Sequence, residues 1–204
     1  MKKIVLATAI AALSTAASAQ YYVQGDVGYS KLEAKVDDLK IKDNTTSYSI
    51  AAGKDVGNIR YQADYTNFGK LEHNGEDAGG LAVVGNDAWE TTLKAQSIGL
   101  SAIYDFQTVS GFTPYAGVRL GVNQLKYEEN LKYSTIGVNG AYMVGSESYS
   151  GKDTKVGAGV LAGVQYTINP QLAVDVAAEY NHLGKVEDIK FNQYGAKVGL
   201  RYNF

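Results

Sequence analysis

Only three arginines occur in the 204-residue chain, Arg60, Arg119 and Arg201, and each lies in a stretch where apolar and polar residues alternate. Each has the parity of the polar residues, as do Asp26, Asp64, Asp105, Asp175 and Glu179. Residues two apart on a strand share a face, so the alternation gathers charges of both signs on one side of a sheet. A buried charge without a partner is costly, and inward ion pairs are therefore expected. The last two alternating stretches allow a register to be written down. Facing residues of an antiparallel hairpin share a constant index sum, and Asp175 with Arg201 and Glu179 with Lys197 both give 376. That register predicts two ion pairs four residues apart.

Other chemistry is weakly represented. The chain has no cysteine, which excludes disulfides, thiolate metal sites and a cysteine nucleophile. The two histidines, His73 and His182, have no nucleophile and carboxylate arranged around them in sequence; His182 carries the outward parity of Tyr180 and reads as a membrane-interface residue. Gly157, Gly159 and Gly163 lack the spacing of a phosphate loop, and their shared inward parity suggests room for large neighbours. Glu76, Asp77 and Asp87 lack calcium-loop spacing. No cofactor, no metal and no enzymatic activity are expected.

The elements that must position these charges have a period of two. Alternating stretches begin at Tyr21, Ser47, Ile59, Ser97, Tyr115, Lys155, Leu172 and Tyr194. Short connectors fall near 55–58, 107–112 and 169–171, and longer ones span 31–44, 69–93, 126–153 and 184–190. Short turns on one side and longer loops on the other are the layout of a transmembrane barrel. Tyr21, Tyr29, Tyr65, Tyr104, Tyr166, Tyr180 and Tyr202 bracket the apolar stripes, as girdle residues do at a membrane interface. A lipocalin-like soluble barrel would instead turn its apolar residues inward around a ligand. The expected fold is all-β: an eight-stranded antiparallel transmembrane β-barrel, too narrow for an open pore once filled by its own side chains.

Lys2 and Lys3, the apolar run Ile4–Leu13 and Ala17-Ser18-Ala19 make residues 1–19 a secretory signal peptide, with residues 20–204 as the barrel domain. Loss of the leader leaves 17 basic and 21 acidic residues. That balance gives no electrostatic case for nucleic acid. The expected location is the outer membrane of a Gram-negative bacterium, as a monomer among outer-membrane lipid and lipopolysaccharide.

The stretch Glu179-Tyr180-Asn181-His182-Leu183-Gly184-Lys185-Val186 and the ending Gly199-Leu200-Arg201-Tyr202-Asn203-Phe204 resemble the opacity (Opa) family of outer-membrane proteins. The segments Tyr22–Tyr29 and Thr113–Gly117 are similar too. The resemblance implies insertion by the barrel-assembly machinery, which reads the C-terminal Phe204. It also implies an adhesin whose loops bind a host-cell surface or serum protein; a porin or narrow solute channel is the alternative. The family's binding loops are hypervariable, so no residue carries over. Tyr127, Tyr133, Tyr142, Met143 and Tyr149 of the third loop are apolar anchors for a protein partner. The acidic second loop, with Glu76 and Asp77, disfavours a sulfated polysaccharide there.

Overall fold

A computed structural model describes residues 20–36, 39–78, 86–136, 142–186 and 189–204. Residues 1–19, which the sequence leads one to expect as a signal peptide, lie outside the described residues. Eight strands run in chain order: β1 (Gln20–Val36), β2 (Leu39–Val56), β3 (Ile59–Ala78), β4 (Asn86–Asp105), β5 (Phe112–Ile136), β6 (Tyr142–Thr167), β7 (Leu172–Val186) and β8 (Ile189–Asn203). Each pairs antiparallel with the next, and β1 pairs with β8, closing the sheet so that the wall has no edge where all eight strands are paired.

The alternation sorts residues as the sequence implies, with polar and charged side chains inside and apolar ones outside. Ile50, Ile98, Leu100 and Leu120 are each more than 60% exposed. An apolar belt of that size suits hydrocarbon and not water. Aromatic pairs mark its two rims. Tyr104–Phe106, Phe112–Tyr166 and Tyr202–Phe204 lie by the short turns, and Tyr180–Tyr194 lies at the opposite rim. We call the short-turn end periplasmic and the other outer.

The longer segments differ from expectation. They are not loops for most of their length, because the strands continue through them: β5 pairs with β6 as far as Ile136↔Tyr142, and β3 with β4 as far as Ala78↔Asn86. Pairing of β2 with β3 stops at Tyr48↔Asn67, and that of β6 with β7 begins at Ala158↔His182. Beyond those points the outer end divides into a tall sheet of β3–β6 and a shorter one of β7, β8, β1 and β2. A bulge lies near each division, at Gly69 (φ 94°) and Gly184 (φ 122°). Both backbones are left-handed, which glycine alone adopts without strain.

Candidate functional site

The lumen is built as layers. Near the periplasmic end, Arg201 donates to Asp55 (3.2 Å), Gln165 (2.9 Å) and Asn203 (2.8 Å), and its guanidinium lies 3.8 Å from the centre of the Tyr22 ring. Arg60 donates twice to Asp105, at 2.7 and 3.0 Å, and packs 4.8 Å from the Tyr115 ring centre. Tyr115 donates to Asp175 (2.7 Å). Such ring faces attract the cations beside them.

One layer further out, Arg119 grips Asp64 at 2.5 and 3.1 Å and reaches Ser97 (3.0 Å). Lys197 bridges Glu179 (3.2 Å) and Asp26 (3.8 Å). Asp26 also accepts from Ser49 and Gln24, each at 2.7 Å. The pairs are charge-assisted, and Asp26, Asp64 and Glu179 are each engaged at both carboxylate oxygens, as buried charges require.

Above the charges the lumen turns apolar. Leu32, Phe68, Ala95, Leu125, Leu183 and Phe191 form one buried cluster. On β3 the order outward is Arg60, Asp64, Phe68; on β5 it is Tyr115, Arg119, Asn123, Leu125. An apolar collar therefore caps the polar network at its outer end.

One predicted pair is corrected. The β7–β8 register sums to 374 through the membrane, not 376, so Arg201 faces Ala173 and Asp175 faces Gly199. The tight connection Val186↔Ile189 and the bulge below it set this register. Arg201 goes to Asp55 and Asp175 to Tyr115, while Glu179 and Lys197 meet diagonally. Sequence reasoning missed Asp55, treated as a turn residue, and both tyrosines. Parity offered a signal for all three, since Tyr22, Asp55 and Tyr115 share the inward face.

Gly157, Gly159 and Gly163 lie against Asn123, Asn181 and Tyr115, respectively. His182 is half-buried at the outer rim, with Nδ1 2.9 Å from Asn192 Oδ1. Phe204 donates its backbone N–H to Tyr21 O (3.0 Å). No group of histidine, aspartate and glutamate suited to a metal ion occurs among the described residues.

On the tall sheet, Tyr127 faces Gly151 and Tyr149 faces Glu129, both on the face that continues the lumen wall. Both are largely exposed, and Tyr149 donates to Glu147 (3.0 Å). These two are strand residues, not loop residues. The backbones of Tyr133, Tyr142 and Met143 also belong to this hairpin, and those of Glu76 and Asp77 pair with Ala88 and Asp87. The side chains of these five lie outside the described residues. Outside the membrane, Glu33 accepts from Lys42 (2.8 Å), and this bond holds the Lys42 ammonium above the ordinary lysine range.

Comparison with known proteins places this architecture. The chain is 34% identical to "Protein opa" of Haemophilus influenzae over 74% of this chain and 99% of that one. It is 31% identical to opacity protein opA50 of Neisseria gonorrhoeae, over 76% of this chain and 77% of the relative. Among solved structures, Neisserial surface protein A superposes with a TM-score of 0.57 at 29% identity, covering 90% of this chain and 97% of that one. The attachment invasion locus protein Ail of Yersinia pestis, in complex with a heparin analogue, shares the fold at 18% identity and a TM-score of 0.51, over 90% of this chain and 99% of that one. The family model described as "Opacity family porin protein" matches residues 52–204. The chain belongs to the Opacity family and is an outer-membrane β-barrel of a Gram-negative bacterium.

Proposed function

We propose that the protein is a surface binder, an adhesin or host-factor receptor, and that its barrel is a closed support. The tall β3–β6 sheet carries this reading. It presents Tyr127 and Tyr149 on a hydrogen-bonded ladder, so little ordering entropy is lost when a partner docks. Exposed aromatics on a rigid backbone are effective anchors for a protein surface. The acidic β3–β4 segment biases the choice toward a basic or neutral partner. The salt-bridged lumen and its apolar collar support closure to steady diffusion, which speaks against a porin role. Insertion through the assembly machinery at Phe204 and a monomeric state fit the same reading.

Two assays run in parallel test it. Bacteria in which a glycine–serine turn replaces residues 129–149 are compared with wild type for attachment to epithelial cells and serum proteins, at equal surface levels. Loss of attachment is expected, and equal attachment would overturn the binder reading. Wild-type protein in planar bilayers is expected to show negligible steady conductance; large, long-lived openings would favour the channel.

A further inference from the structure

The lumen wall formed by β7, β8 and β1 carries the carboxylates Asp26, Asp175 and Glu179, with the Lys197 ammonium among them. Glu179 and Asp26 share that ammonium. Arg201 on the same wall goes to Asp55, while across the lumen Arg60 goes to Asp105 and Arg119 to Asp64. Asp175 is left without a cation, although it is 0% exposed. Its Oδ1 accepts from the Tyr115 hydroxyl (2.7 Å), and its Oδ2 has no donor among the described residues. A neutral hydroxyl on one oxygen does not balance a buried charge.

The register shows what lies beside that oxygen. Asp175 and Asp26 flank the same residue, as Asp175↔Gly199 and Asp26↔Gly199. Gly199 has no side chain to separate them, and a Cβ there would overlap Asp26 Oδ1. One step toward the periplasm on β1, Gln24 donates its Nε2 to Asp26 Oδ1 (2.7 Å). A carboxylate only accepts, so this bond fixes the orientation of the amide and turns its Oε1 away from Asp26. Gln24 is 8% exposed, and its Oε1 also has no donor among the described residues. Two buried acceptor oxygens thus stand without donors where two carboxylates flank a glycine. Each carries a desolvation cost until something positive reaches it.

We propose that this corner of the lumen binds a monovalent alkali cation, sodium or potassium, with Asp175 Oδ2 and Gln24 Oε1 as its protein ligands and Asp26 as the second negative charge beside it. Oxygen ligands of this kind replace the hydration shell of such an ion. Calcium takes about six to eight oxygens and magnesium a near-ideal octahedron, which is more than two side chains and a carboxylate already shared with Lys197 supply. Water fills acceptors but leaves the charge of Asp175 without an opposite. The cation stands in for the base that this wall lacks, and the closed lumen folds around it. The site is separate from the aromatic face of the tall sheet.

The test uses the protein refolded into phosphatidylcholine vesicles in sodium, potassium or choline chloride at one ionic strength. Unfolding in urea is followed by gel mobility. Screening treats the three salts alike, whereas a ligand of the folded state raises stability as its concentration rises. The unfolding midpoint should be higher in sodium or potassium than in choline, and should climb as alkali ion replaces choline. The protein should also broaden the sodium NMR line. D175N should lose both effects, Q24L should keep a smaller salt difference, and D153N, at the exposed outer end, should keep all of it. The readout is a difference between salts, so a variant that is destabilised in every salt still reports. Equal midpoints in the three salts would overturn the proposal and leave the two oxygens to water alone, as would an undiminished salt difference in D175N. So would a protonated-carboxyl infrared band that D175N removes, which would make Asp175 a neutral acid, or stabilisation by calcium with none by sodium or potassium.

Discussion

Arg119 on β5 reaches over β4 to grip Asp64 on β3, with Nη2 2.5 Å from Oδ2, and thereby ties three consecutive strands across the lumen. Both side chains are less than a tenth exposed. Removal of one partner strands the other in a low-dielectric interior. Asp64→Ala is expected to destabilise the barrel by roughly 3–5 kcal/mol, and Asp64→Ala/Arg119→Ala to recover part of that loss. Equilibrium refolding of the four proteins of the cycle measures it; additive losses would show that the pair is not coupled.

Gly99 lies on β4 directly under that bridge. A Cβ at this position would overlap the Arg119 guanidinium. Gly99→Val should therefore cost about 1–3 kcal/mol in wild type, as overpacking does, and clearly less when Arg119 is already alanine. An equal cost in both backgrounds would place the strain in the backbone.

Arg201 answers to Asp55 and not to Asp175. A double-mutant cycle on Asp55 and Arg201 should give a coupling of about 1 kcal/mol or more, moderated by the partial exposure of Asp55. The Asp175–Arg201 cycle should give a smaller value, and Tyr115→Phe should couple to Asp175 instead. A larger Asp175–Arg201 coupling in the refolding equilibrium would contradict the register.

Tyr127 and Tyr149 are predicted to act together on attachment. They occupy neighbouring pairs of one ladder, Tyr127↔Gly151 and Glu129↔Tyr149, and lie on the same face. Each alanine substitution should weaken partner binding by roughly 1–2 kcal/mol without changing barrel stability. Surface-level-matched bacteria titrated with the identified partner provide the measurement. Unchanged attachment by the double variant would move the anchor elsewhere on the sheet.

The barrel was legible because the bilayer imposes its own sorting: Ile98, Leu100 and Tyr104 must face lipid, so Ser97, Ser101 and Asp105 must not. Past the membrane that demand ends. Around Lys126–Asn130 both faces of β5 meet water, so the alternation vanishes while the hydrogen bonds continue, and strand reads as loop. The interior pairs were legible in kind but not in partner. Parity selects Asp175 and Arg201 for the lumen, yet the bulge beside Gly184 and the tight outer connection, which no charge pattern reveals, decide whom they meet. The apolar collar escaped notice because Leu32, Phe68 and Phe191 break the polar rule of their own face.

The β5–β6 ladder continues from Val122, where the lipid-facing row ends, to Ile136. At about 3.3 Å per residue the strand runs some 45 Å beyond that point along its own tilted course. A stiff mast of that length rises through the sugars nearest the bilayer, so its visibility depends on how long the surrounding glycans are. A cell with truncated sugar chains displays the hairpin; one with extended chains shades it. Carbohydrate growth on neighbouring lipids can thus silence or reveal this surface with no change to the protein itself.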